Sequence, residues 1–139
     1  MITQTQTTSF KAELYEGIHD LLDDTIKIAL YEATADLTAA TTVYTTDQEI
    51  TGTGYTAGGN TLTGATVQSS GNTAYVSFDN STWSNASFTC RGALIYNASK
   101  ANRSIAVLNF GSDKTVANQT FEIEFPPNDA TSAIIRSTN

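Results

Sequence analysis

Apolar and polar residues alternate along most of this chain with the two-residue period of a β-strand, and two long apolar runs lie past its middle. Residues 88–96 alternate at first and become apolar or small on both faces from 92 to 95. Residues 103–110 contain an unbroken apolar run, and a polar stretch at 97–102 separates the two segments. A short apolar run bounded by turn residues is typical of a strand buried on both faces. The pattern predicts an antiparallel pair, joined by a polar turn, at the centre of a sheet.

Shorter segments with the same period flank this pair. Strands are predicted at 25–31, 61–67, 73–78, 120–125 and 132–136, with loops or turns at 52–60, 69–72, 79–86 and 111–118. About seven or eight strands separated by turns indicate an all-β fold, an antiparallel β-sandwich or jelly roll. The side chains expected in its core are Ile28, Leu30, Val76, Phe78, Leu94, Val107, Phe121, Ile123 and Ile135.

The N-terminal region departs from the strand pattern. Ser9 is placed to cap one short helix at 10–18. Its shared apolar face would consist of Phe10, Leu14, Tyr15 and Ile18. Residues 1–8 (MITQTQTT) are too polar to pack as a separate unit, so we expect a flexible terminus or an arm that a partner orders. With this arm, residues 1–139 have the length of a single β domain.

Composition and charge narrow the classes of partner. The chain carries 7 Lys and Arg against 14 Asp and Glu, for a net charge of −7, and its basic residues are scattered. A nucleic-acid interface needs clustered Lys and Arg, so we expect no direct nucleic-acid binding. No segment approaches the ~20 apolar residues of a membrane span, and residues 1–9 lack the pattern of a secretory signal. We therefore expect no membrane association.

Two groups of potentially reactive side chains are candidates for a site. His19 lies close to Asp20, Asp23 and Asp24, but a second histidine is absent and the spacing does not match a calcium loop. We interpret this cluster as a solvated turn before the first long strand. Cys90, the sole cysteine, falls in the central strand and is interpreted as a small buried apolar residue.

Three further patterns also favour structural interpretations. The glycine-rich loop at 52–60 lacks the Lys-Ser/Thr of a phosphate-binding loop. Glu122 and Glu124 share one strand face, as paired catalytic carboxylates would, but the exposed face of a strand explains them. Trp83 is predicted in a loop that covers one end of the core. The sequence thus predicts no catalytic, cofactor-binding or metal-binding residue, and we expect a protein that is not an enzyme.

Several segments together carry a resemblance to a known family. They are residues 9–11 (SFK), 26–31 (IKIALY), 52–59 (GTGYTAGG), 91–97 (RGALIYN), 107–114 (VLNFGSDK) and 133–136 (AIIR). In these segments, which span nearly the whole chain, the protein resembles small virion-associated structural proteins of tailed bacteriophages. The resemblance implies a component of a phage particle and implies no catalytic residue.

By size and architecture, the resemblance extends to capsid decoration (cement) proteins. It implies a homo-oligomer, expected to be a trimer, that binds the major capsid protein and stabilises contacts between capsomers. The protein would be made in the host cytoplasm and would reside on the capsid surface of the virion. One alternative is a structural module of the tail, neck or fibre. Another is a carbohydrate-binding module, in which Trp83 and Tyr55 would stack on a sugar.

Overall fold

The structure is a computed structural model that describes residues 1–138, and it is mostly β, with 49% strand and 6% helix. In chain order the elements are β1 (Thr5–Gln6), α1 (Thr8–Tyr15), β2 (Ile26–Tyr31), β3 (Asn60–Thr61), β4 (Thr66–Ser70), β5 (Thr73–Ser77), β6 (Ser81–Asn97), β7 (Arg103–Ile123) and β8 (Ile135–Thr138). Five strands form one sheet in the order β1-β7-β6-β2-β3, and three form another in the order β4-β5-β8. All pairs are antiparallel. The prediction of an all-β sandwich with one short helix is confirmed.

The predicted central pair is the middle of the larger sheet. β6 pairs with β7 on one side, where Leu94 lies opposite Val107, and with β2 on the other, where Leu94 lies opposite Ala29. These positions are buried on both faces of the sheet. The unbroken apolar runs therefore arise because this part of the sheet has no face toward solvent.

Both strands of this pair extend further than the pattern predicted. β6 begins at Ser81, so the predicted loop at 79–86 is wrong for most of its length, and β7 continues through the predicted turn at 111–118 to Ile123. The continuation is largely exposed and polar, which hides it from a hydrophobic-pattern analysis. Cross-strand contacts support it, including a hydroxyl pair between Thr89 and Thr115 at 2.8 Å.

The core consists of two clusters, one on each face of the five-stranded sheet. The first faces the three-stranded sheet and α1 and includes Ile28, Leu30, Ala93, Ile95 and Leu108. The second consists of Ile2, Ala29, Tyr31, Ala35, Leu37, Leu94, Tyr96 and Val107. Strand alternation distributes neighbouring residues between the two. All the predicted core side chains are buried except Val76, which is half-buried beside the buried Tyr75.

The short helix is present, but its cap and its buried face differ from the prediction. Thr7 is the N-cap, since its side chain accepts a hydrogen bond from the N–H of Phe10. Phe10 and Glu13 are the buried residues of α1, whereas Tyr15 is 94% exposed. The predicted apolar face is therefore wrong for Leu14 and Tyr15, because Glu13 is the residue that faces the sheet, where His19 and Arg103 contact its carboxylate.

The segment at 1–8 packs on the domain itself, so the prediction of an unpacked arm is wrong. Thr5 and Gln6 form β1, which pairs with β7 opposite Val107 and Ala106. Ile2 is 7% exposed and lies against Gly92, where a Cβ added to the glycine would come within 3.0 Å of the isoleucine side chain. The missing side chain of the glycine thus provides the space that Ile2 occupies.

Candidate functional site

The side chain of His19 is fully enclosed and joins a polar network rather than a solvated turn. The histidine network consists of Glu13, His19, Asp24, Asn97, Lys100 and Arg103. His19 Nε2 lies 2.8 Å from Glu13 Oε1, and its Nδ1 lies 3.0 Å from Asn97 Nδ2. The interpretation as a solvated turn holds for the exposed Asp20 and Asp23 and is wrong for His19 and Asp24.

The hydrogen bonds of Asn97 determine which ring nitrogen of His19 accepts and which donates. Asn97 Oδ1 accepts the backbone N–H of Ser99 at 3.0 Å, so the amide Nδ2 faces the other way. Nδ2 donates to Asp24 Oδ2 at 2.8 Å and to His19 Nδ1. Since Nδ1 must accept this bond, the remaining ring proton sits on Nε2 and is donated to Glu13.

Two cations balance the two carboxylates of this network. Arg103 lies 2.8 Å from Glu13 Oε2, and Lys100 lies 3.0 Å from Asp24 Oδ1. Burial alone would raise the pKa of Asp24, but hydrogen bonds from Asn97, the Asp20 backbone and Lys100 outweigh it and lower the pKa to about 2.

The pKa of Glu13 is lowered in the same way. Burial opposes ionisation there as well, and the hydrogen bonds of His19 and Arg103 overcome it. Both carboxylates are thus held ionised.

The network fastens α1 and the loop before β2 to the turn between β6 and β7. Among residues 1–138, no group of three or more candidate ligands is arranged to hold a metal ion.

A second polar network surrounds Glu49. Its carboxylate accepts the hydroxyl of Tyr44 at 2.6 Å, the hydroxyl of Tyr55 at 2.5 Å and the N–H of Gly58 at 2.8 Å. Tyr96 donates from its hydroxyl to the carbonyl of Gly58 at 2.6 Å. These bonds fasten the long loop between β2 and β3 to the sheet.

The phenols of this Glu49 network stay protonated at ordinary pH. Burial, together with the Glu49 carboxylate, raises the pKa of Tyr55 and of Tyr44 well above the usual range. The same causes raise the pKa of Tyr96 to about 12. A protonated phenol cannot act as a general base, because only the ionised form accepts a proton. These hydroxyl groups therefore serve as structural hydrogen-bond donors.

The glycine-rich loop at 52–60 serves close packing. Gly59 has a φ of +77°, and a Cβ there would lie 1.8 Å from the carbonyl oxygen of Ile28. Gly54 has a φ of +84°, and its Cβ would lie 2.9 Å from Ala86. Glycine is required at both positions by conformation and by space. The loop lies flat against β2 and β6.

The aromatic residues considered for sugar stacking, Trp83 and Tyr55, pack against other aromatic rings of the protein. Trp83 lies within β6 and is 3% exposed, so the prediction that it sits in a covering loop is wrong. Its ring contacts Phe121 at 5.8 Å between centroids and Tyr55 at 6.4 Å. Trp83 therefore presents no open face for carbohydrate stacking, and the half-buried Tyr55 packs against Trp83 and Phe88. Within residues 1–138, Trp83 Nε1 has no hydrogen-bond partner.

The remaining candidates lie where the sequence pattern places them. Cys90 is 1% exposed, and burial, with a contribution from the Asp113 charge, raises the pKa of its thiol to about 12. A buried thiol with such a pKa is a poor nucleophile. Glu122 and Glu124 are exposed on β7 and the segment that follows it.

Sequence reasoning missed Glu49 and Asn97, the two residues around which the networks form. Asn97 ends an apolar run and has the character of a first turn residue, yet it is fully buried. Its partners lie 73 and 78 residues away in the chain. A contact at such a separation leaves no local pattern.

The chain was compared with known proteins, and its helices were compared with the requirements for crossing a membrane. No protein-family model, curated protein or solved structure matches the chain. Across residues 1–138, no helix is long and apolar enough to cross a membrane. The candidate site consists of the two hydrogen-bonded networks, in which ionisable side chains tie loops and the helix to the central sheet.

Proposed function

We propose that this protein is a structural component of a phage virion and that it decorates the outer surface of the capsid. The observation that carries the proposal is that the potentially reactive side chains are buried or fully engaged in hydrogen bonds within the fold. His19 is enclosed with both ring nitrogens bonded, Glu49 accepts three hydrogen bonds, and Cys90 is buried. This chemistry holds the fold together, as is expected of a protein whose role is mechanical.

The resemblance to phage virion proteins supports the same conclusion. Its segments fall largely on the scaffold, since 26–31 is β2, 91–97 lies in β6 and 107–114 lies in β7. The segment at 52–59 is the loop that packs on that scaffold. The resemblance therefore follows the residues that define the fold.

In this proposal the partner is the major capsid protein, and the protein acts as a homo-oligomer, expected to be a trimer. Many copies with small individual contacts reinforce a particle through multivalency. The packed N-terminal segment is not proposed as the anchor, because its backbone and Ile2 are already engaged by the domain. We therefore propose that the attachment surface lies elsewhere on the folded protein.

The test is a binding experiment with purified particles. The protein is mixed with heads that lack it, with heads that already carry it and with purified tails. Each mixture is sedimented, and the retained copies are counted by quantitative mass spectrometry. Retention on bare heads at a copy number comparable to that of the major capsid protein is the expected result. Retention on tails alone would replace the decoration proposal with the tail alternative.

A further inference from the structure

The outer strand of the three-stranded sheet, β4, is the most open edge in the described part of the chain. Within residues 1–138, β4 pairs with β5 alone, and all five of its residues, Thr66–Ser70, are exposed. An edge strand presents a row of unpaired N–H and C=O groups, which is a template for another strand.

The hairpin turn determines which of these groups point outward. A two-residue turn, Gly71-Asn72, joins β4 to β5, and Gly71 has a φ of +57°. Glycine with positive φ at the first turn position is typical of a type II′ hairpin, so Ser70 and Thr73 exchange hydrogen bonds. The alternation then directs the N–H and C=O groups of Val67 and Ser69 away from β5.

Natural proteins protect such edges with charges, prolines, bulges or short strands. β4 has the sequence TVQSS, without charge or proline, and its register with β5 runs continuously from Thr66 to Ser70. The other edges of the described sheets are different. β1 and β3 are two residues long. β8 carries the charged residue Arg136, and the backbone carbonyl of Arg136 accepts a hydrogen bond from the side-chain amide of Gln6 at 2.7 Å.

Charge favours a second copy of this chain as the occupant of the edge. The chain has a net charge of −7, so two copies repel each other over most of their surfaces. Residues 50–78, which include β4 and β5, contain no charged side chain. The strand edge itself therefore adds no charge of its own to the repulsion between two copies.

We propose that β4 pairs with β4 of a second copy, antiparallel and about a two-fold axis at Gln68. Val67 of each copy then lies opposite Ser69 of the other, and the outward N–H and C=O groups of both residues are satisfied. A two-fold axis requires a self-complementary surface, and an antiparallel strand edge meets this condition. The two three-stranded sheets join into one continuous sheet.

This dimer is weak and depends on concentration. A five-residue edge buries far less surface than the ~1,600 Å² of a standard interface. The experiment is therefore sedimentation equilibrium of the full chain at concentrations up to about 1 mM, where weak association is populated. A monomer–dimer equilibrium is expected. A monomer at all concentrations, or a trimer without a dimer, would overturn the edge-pairing proposal. Neither result decides whether the protein binds capsids, which the sedimentation experiment with purified heads tests separately.

Two variants of one residue test the edge itself. Ser69→Pro removes an outward N–H that the β5 ladder does not use, so the dimer is lost while the melting temperature is retained. Ser69→Ala keeps the N–H and is the matched control, with dimerisation unchanged. A Ser69→Pro protein that dimerises like the parent contradicts the pairing.

A third variant covers the case in which Ser69→Pro does not fold. Gln68→Lys brings two like charges together at the two-fold axis, so dimerisation weakens at least tenfold at low salt and recovers partly at high salt. Dimerisation that is insensitive to this substitution places the contact on another surface and overturns the inference.

Discussion

Replacing Ile2 by alanine tests the packing of the N-terminal segment, where sequence and structure disagree most. In a flexible arm the substitution would have no effect on the isolated domain. In the structure, Ile2 is buried against Gly92, and its backbone segment is bonded to Leu37 on one side and to Asn109 on the other. The substitution therefore opens a gap in the second core cluster.

The size of the effect follows from the contact. The change removes three carbon groups, and at about 0.8 kcal/mol for each the lost transfer free energy is about 2.4 kcal/mol. Gly92 has no side chain that could move into the gap, so a cavity contribution adds to this value. We expect the free energy of unfolding to fall by about 2.5–4 kcal/mol, and the melting temperature to fall by roughly 10 °C.

The assay is urea denaturation followed by circular dichroism, in which the midpoint shifts and the slope m is unchanged. Thr3→Ala is the control. Thr3 is exposed, and its hydroxyl contacts the Met1 sulfur, so its replacement changes stability by less than about 0.5 kcal/mol. If Ile2→Ala behaves like Thr3→Ala, the N-terminal segment is not packed as described.

The remaining predictions concern single positions. Ile123→Ala should lower the free energy of unfolding by about 2–5 kcal/mol, because the side chain is buried; a loss below about 1 kcal/mol would place it at the surface. Asp24 has a folded pKa of about 2, below its ordinary value, so its contribution of about 1–2 kcal/mol is present above pH ~4 and is lost as the pH falls toward 2. Asp24→Asn should flatten this part of a pH–stability curve, and an unchanged curve would contradict the assignment. Ala101→Gly should stabilise by about 0.5–1 kcal/mol in thermal denaturation, because Ala101 has a φ of +55°, whereas a destabilised variant would refute that backbone conformation. Gly59→Ala should lower the free energy of unfolding by more than about 3 kcal/mol, because the new Cβ would collide with the backbone carbonyl of Ile28. A variant of parental stability would show that the loop is placed differently.

The predictable part of this fold is the central part of the larger sheet, whose residues are buried on both faces. β2 and the inner halves of β6 and β7 are evident from the sequence, because a sheet covered on both faces requires apolar residues at nearly every position. The exposed half of β7 is not, since the backbone ladder and pairs such as Arg91 with Asp113, 2.9 Å apart, carry no hydrophobic signal.

The polar networks are unpredictable for a different reason. Glu13 meets Arg103 across 90 residues of chain, and its exposure cannot be inferred from its helical neighbours. The burial of Ile2 is equally hidden, because a lone apolar residue in a polar segment gives no periodicity. Ile2 packs into the space left by the missing side chain of Gly92, and only the three-dimensional structure shows that these two residues are neighbours.

The position of the β6–β7 hairpin also sets the order in which the protein can fold. The hairpin is local, joined by residues 98–102, whereas β1 must reach β7 with Thr5 opposite Val107, and β2 must reach β6. During synthesis the N-terminal strands emerge first and find no partner until the hairpin has left the ribosome. The last strand, β8, then closes β5 from the far end of the chain. The native sheet therefore assembles late and through contacts distant in sequence, and slow folding is the expected kinetic signature of such a topology.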